Sequence, residues 1–177
     1  MRVVTKALLK KIGACDDGTE YSVKSLLGKS YPDAIKQCIA DNKLQWANWG
    51  IVRVMDGTER VKYAVYAARQ VLKLFEDKYK DDKRPREAIE AAERWTRNPS
   101  EKNRNAAYAT YAASDAANAA VNAAADDTYA AANANAYAAD ATYAANAYAA
   151  AYVAMRIKIL KYGILLLSKQ AKGEPND

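Results

Sequence analysis

Residues 58–80 read TERVKYAVYAARQVLKLFEDKYK. Val61, Ala64, Val65, Ala68, Val71, Leu72 and Phe75 recur at i, i+3, i+4 and i+7, the spacing that lays one apolar stripe along a helix. Lys62, Arg69, Lys73 and Asp77 fall on the other face, so the segment predicts an amphipathic helix packed on a core. Working outward, no stretch alternates apolar and polar residues between turn signals as a half-buried strand would. The expected fold class is therefore all-α. Its architecture is a multi-helix array in which short N-terminal helices pack on two or more long helices, the C-terminal ones rich in alanine.

Helix starts are marked by polar residues three positions ahead of an acid, where both side chains can satisfy first-turn amides. Asp17 precedes Glu20, Ser30 precedes Asp33, Asp56 precedes Glu59 and Asn98 precedes Glu101. Pro32, Pro85 and Pro99 suit first turns because their fixed φ is already helical. These signals predict helices near 3–12, 20–28, 31–41, 43–55, 58–80 and 85–97. One all-helical domain over 1–177 is expected, with an amphipathic part over 1–98, Ala/Tyr-rich helices over 99–170 and a flexible tail over 171–177.

The stretch from Asn105 to Met155 contains no Lys or Arg and is dominated by alanine. Alanine has the best intrinsic helix propensity, and recurrent tyrosines oppose a disordered reading. Tyr108, Tyr111, Tyr129, Tyr137, Tyr143, Tyr148 and Tyr152 each bring a large apolar ring. Asp115, Asn118, Asn122, Asp126, Asn133 and Asp140 project onto one polar stripe. One continuous helix would reach roughly 75 Å at 1.5 Å per residue. The acidic pair Asp126 and Asp127 is the expected break, giving helices near 99–125 and 128–168 folded back on each other. Thr110, Thr128 and Thr142 keep no common spacing, which sets aside an ice-binding face.

The chain carries 27 Lys plus Arg against 21 Asp plus Glu, a net charge of +6, with the acids of the alanine tract leaving the flanks more basic than the whole. It has no histidine and only two cysteines, Cys15 and Cys38. Without imidazole the commonest near-neutral general base, the Cys/His nucleophile pairs and the usual zinc ligand sets are missing. No catalytic residue, metal site or cofactor is expected, and the two cysteines read as buried reduced thiols rather than a bridge. The apolar N-terminal run is broken by Lys6, Lys10 and Lys11, and ILKYGILLLSK (159–169) is about half a bilayer span. A soluble cytoplasmic protein without membrane contact is expected.

Three residue sets are candidates for contact with a partner. Lys83, Arg84 and Arg86 around Pro85 could form a fork for phosphate or carboxylate groups. The plainer alternative, favoured here, pairs Arg84 or Arg86 with Asp81, Asp82 or Glu87 to fix the loop. Tyr108, Tyr111, Asp115, Asn118 and Asn122 could line a groove that reads a partner, or bond between helices. Trp46 and Trp49 could form an exposed aromatic platform, although core is the expected place for them and for Trp95. Glu87, Glu90 and Glu93, interleaved with Arg86 and Arg94, read as a salt-bridged surface rather than an acid/base set.

The stretches GACDDGTEY (13–21), CIADNKLQWANWGIVRVM (38–55), YAVYAARQVLKLFEDKY (63–79) and DDKRPREAIEAAERW (81–95), followed by NPSEKNRNAAYATYAA, resemble a family of α-helical immunity proteins. That family occurs in bacterial polymorphic-toxin loci and, with long Ala-Tyr tails, in phage and prophage genomes. The likeness runs from about Ala7 to Tyr162, and its most specific element is Asp82, Arg84, Pro85, Arg86, Ala88, Ile89, Ala91 and Trp95. It implies a non-enzymatic inhibitor, immunity or anti-defence (anti-CRISPR-like), whose partner is a protein of the bacterial host or a toxin. Many bacterial relatives carry histidine in the alanine-rich part and this chain has none, while its basic, aliphatic tail suits the phage branch, acting in the host cytoplasm. The alternative is a protein that binds or sequesters nucleic acid or a signalling nucleotide; a third is a structural phage component. Each is compatible with an oligomer.

Overall fold

A computed structural model of the chain describes residues 2–98, 100 and 141–173. Among these residues there are seven α-helices and no strand. They are α1 (Lys6–Ile12), α2 (Asp16–Ser25), α3 (Tyr31–Ala40), α4 (Leu44–Val54), α5 (Gly57–Lys78), α6 (Arg84–Arg97) and α7 (Ala141–Lys172). The proposed break at Asp126 and Asp127, and the first alanine-rich helix, lie outside the described residues. The second such helix is described from Ala141 and runs through Gly163 to Lys172, past its expected end.

Local chemistry explains most helix boundaries. At α3 the Ser30 Oγ accepts from the Asp33 amide at 3.2 Å and donates to Asp33 Oδ2 at 2.6 Å, while Pro32 occupies the first turn. At α5 the Asp56 Oδ1 accepts from the Glu59 amide at 3.0 Å. α6 likewise starts with Pro85 in its first turn. Two starts differ from expectation. α2 begins at Asp16 with Cys15 as N-cap and no side-chain cap bond, so Asp17 lies inside the helix instead of capping it. α1 begins at Lys6, capped by Thr5 Oγ1 accepting from the Leu8 amide at 3.1 Å. It cannot start earlier because the preceding backbone is used elsewhere. Val3 forms an isolated antiparallel bridge with Ser30, the Val4 amide donates to the Lys29 carbonyl and the Gly28 amide to the Val4 carbonyl, both at 3.0 Å. Gly28 turns the chain at φ +78°, a conformation that a side chain disfavours.

The chain divides into two compact units, Met1–Arg60 with Arg156–Asp177, and Val61–Met155. In the first, α3 packs on α4, and Ala34, Ile35, Cys38, Leu44, Ala47 and Ile51 are buried. From the C-terminal part of α7, Leu160, Leu166 and Leu167 are buried as well.

In the second unit Ala68 and Leu72 of α5 join Ile89 of α6 in one apolar cluster, with Val65 against it. Val65, Ala68 and Leu72 of the stripe read from the sequence are thus in the packed cluster, while Tyr63, which that stripe left out, is also buried. Two ion pairs tie the same helices together: Arg69 Nε and Nη2 donate to Glu93 Oε1 and Oε2 at 2.9 and 3.0 Å, and Arg86 Nε and Nη2 donate to Glu76 Oε1 and Oε2 at 2.7 Å each. Trp95, expected as a core anchor, is only partly buried, because the buried stripe of α6 runs through Ile89, Ala91 and Ala92.

Candidate functional site

Four short helices of the first unit border a partly open hollow, and periodicity explains which side chains reach it. Leu8 and Ile12 lie one turn apart on α1, Ile35 and Cys38 on α3, and Trp46 and Gly50 on α4, with Trp49 beside them. Together with Tyr21 of α2 they border a cavity of about 350 Å³, and none of the residues that line it is charged.

The polar groups at this site are held by each other. Tyr21 donates its hydroxyl to Asp41 Oδ2 at 2.8 Å, and Gln37 Nε2 donates to Asp41 Oδ1 at 3.0 Å. Burial, reinforced by the bond to Asp41, pushes the Tyr21 phenol far above its ordinary pKa. Burial likewise raises the Cys38 thiol. Both groups are therefore neutral at physiological pH.

The Tyr21 and Trp46 rings meet at 5.2 Å between centroids, tilted by 50°. Each indole of α4 also carries a cation, with Lys43 Nζ 4.9 Å from the Trp46 ring centroid and the Arg53 guanidinium 4.0 Å from that of Trp49. Both tryptophans are partly buried, so they are neither the closed core nor the free platform weighed from the sequence. The cavity itself was not foreseen. A tryptophan pair next to a glycine in mid-helix, WANWG (46–50), is the one signal that pointed toward it.

The basic segment before α6 is arranged differently. Arg84 donates from Nε to Asp82 Oδ1 at 2.9 Å and from Nη2 to Asp82 Oδ2 at 2.6 Å, and its own amide donates to the same carboxylate. Those bonds hold the Asp82 carboxyl down to about 2. Arg86 reaches Glu76 on α5, not Asp81, Asp82 or Glu87, and the bond lowers the Glu76 pKa. Lys83 is exposed at the head of α6. With both guanidiniums filled by carboxylates, the three residues do not form an open fork. Tyr108, Tyr111, Asp115, Asn118 and Asn122 lie outside the described residues. Among the described residues no group of three or more Cys, Asp or Glu side chains could hold a metal ion, and no helix is long and apolar enough to cross a membrane.

Residues 34–159 match the profile of a family described as a family of unknown function, DUF6931. The match takes in α4 and most of α3 but not α1 or α2, so the cavity is walled from both sides of its boundary. No curated protein and no solved structure matches the chain.

Proposed function

We propose that this chain, which belongs to the DUF6931 family of unknown function, is a non-enzymatic binding protein of phage or prophage origin. It neutralises a bacterial toxin or defence component by occupying that protein's surface. The immunity likeness from Ala7 to Tyr162 supports the reading, and the cation-stacked indoles of α4 carry it on the structural side. Arg53 over Trp49 and Lys43 over Trp46 give rigid, amphipathic contact area edged with positive charge. Tryptophan and arginine are the residue types that most often dominate binding energy when a partner desolvates them. An acidic protein face is the complementary partner, and the net charge of +6 favours its encounter.

The test is neutralisation in cells. The chain is expressed beside a panel of bacterial toxin domains and phage-defence systems, and growth or phage plating is scored. Wild type should relieve one of them, and Arg53→Glu should abolish relief while its melting curve is unchanged. Relief of none, together with nucleic-acid binding whose affinity falls steeply with salt, would replace this reading with the nucleic-acid alternative, since counterion release leaves that signature. Recovery of the chain in purified virions would point to the structural role.

A further inference from the structure

We infer that the hollow between α1, α2, α3 and α4 is a binding site for a neutral aromatic small molecule of two to three rings. Its volume of about 350 Å³ lies at the lower end of the range of small-molecule pockets. The hollow is partly open to solvent, with Cys15 and Gln45 exposed at its border, so a ligand can enter it. An apolar molecule seated there would cover wall surface that otherwise faces water.

The chemistry of the walls selects the ligand. Every lining residue is uncharged, so a carboxylate or ammonium would leave water and meet no opposite charge. Tyr21, Tyr31, Trp46 and Trp49 all border the space, and rings favour offset or edge-on contact with another ring. Trp46 and Trp49 border the hollow and are only partly buried.

Gly50 is a second, independent sign. It sits inside α4, where glycine weakens a helix relative to alanine. Nothing steric requires it there, since a Cβ would meet only Ile35 Cδ1 at 3.9 Å, an ordinary contact. At Gly18, by contrast, the Cβ would press on Cys15 Sγ at 3.2 Å. A side chain at position 50 would extend beside Ile35, another lining residue, so its absence leaves that part of the hollow unfilled. The partner-binding reading uses the same two indoles, but its cations, Lys43 and Arg53, line no part of the hollow, so each reading can be tested by variants that leave the other's residues in place.

The probe is N-phenyl-1-naphthylamine, which is neutral and brightens in apolar surroundings, with 8-anilinonaphthalene-1-sulfonate as its charged counterpart. Titrated into the full chain, the neutral probe should saturate at one equivalent, and the sulfonate should bind at least about tenfold more weakly. Gly50→Leu, which extends a side chain into the space and improves helix propensity, should weaken the neutral probe at least about tenfold while the melting temperature holds or rises. Ala14→Leu narrows the space from the α1–α2 connection and should weaken it as well, which keeps the test decisive if the first variant does not fold. No saturable binding, equal affinity for the sulfonate, or wild-type affinity in either folded variant would overturn the assignment. None of these results bears on neutralisation in cells, so the two proposals fail separately.

Discussion

Cys38 lies on the inner side of α3 with 3% of its surface exposed, whereas Cys15 is exposed ahead of α2. Burial raises the Cys38 thiol and the charge of Asp41 adds to the shift, while the neighbouring Tyr21 hydroxyl partly offsets it. Thiolate, not thiol, is the nucleophile, so Cys38 is silenced by access and by protonation together. Titration with Ellman's reagent at pH 8 should therefore release one equivalent from the native chain and two in guanidinium chloride. Two fast equivalents under native conditions would mean that α3 does not stay packed. The sequence predicts two buried reduced thiols; both cysteines are free, but only Cys38 is buried, and Cys15 is exposed. The sequence alone does not separate the two burials, because Cys15 belongs to a connection whose course depends on how α1 ends at Gly13, at φ +70°.

At the scale of elements, the pairing of α5 with α6 carries its own register. Arg69 and Glu76 lie two turns apart on α5, and Arg86 and Glu93 two turns apart on α6. Run antiparallel, the helices set Arg69 against Glu93 and Glu76 against Arg86, as found. Run parallel, they would set like charge against like, so the same four residues disfavour the wrong arrangement. Arg69 and Glu93 are each about a third exposed, which keeps the energy modest. A double-mutant cycle with Arg69→Met and Glu93→Gln should give a coupling of about 1 kcal/mol in urea melts. A coupling near zero would leave the Arg86–Glu76 pair and the apolar cluster of Ala68, Leu72 and Ile89 as the sources of specificity.

Element boundaries were legible where their cause is local. Ser30 with Asp33, and Asp56 with Glu59, satisfy amides within one turn, so the sequence displays both partners side by side. The partner of Arg86 was not legible, because Glu76 arrives through the packing of another helix. The cavity is less legible still: a hollow is a property of four helices, and only the WANWG stretch (46–50) hints at it.

Over the whole molecule, the absence of histidine leaves no side chain with an ordinary pKa between about 5 and 8. Stability should be nearly flat there and fail on the acid side. Asp33 is lowered by its bonds to Ser30 and Lys36, Glu76 by Arg86, and Asp82 to about 2 by Arg84. A carboxyl that binds its proton more weakly when folded contributes stability that is complete above its unfolded pKa and lost as pH falls through the folded one. The urea midpoint should therefore hold from pH 8 to about 5 and decline from about 4 toward 2. Asp33→Asn, Glu76→Gln and Asp82→Asn combined should flatten that decline while lowering the plateau. An unchanged acid limb in the triple variant would assign it to other carboxyls. The sites concerned fall in both compact units, so both are expected to feel acid.

The backbone bridge between the N-terminal residues and the turn ahead of α3 bears on how the native state opens. Backbone hydrogen bonds from the Val4 amide to the Lys29 carbonyl and from the Gly28 amide to the Val4 carbonyl close a loop that contains all of α1 and α2. Closing such a loop costs entropy that the few bonds at its neck must offset. The neck is therefore a latch whose release frees an end of the chain without disturbing the α3–α4 packing behind it. In native-state hydrogen exchange, the amides of Val4 and Gly28 should exchange together, at a lower opening free energy than the amides within α3 and α4.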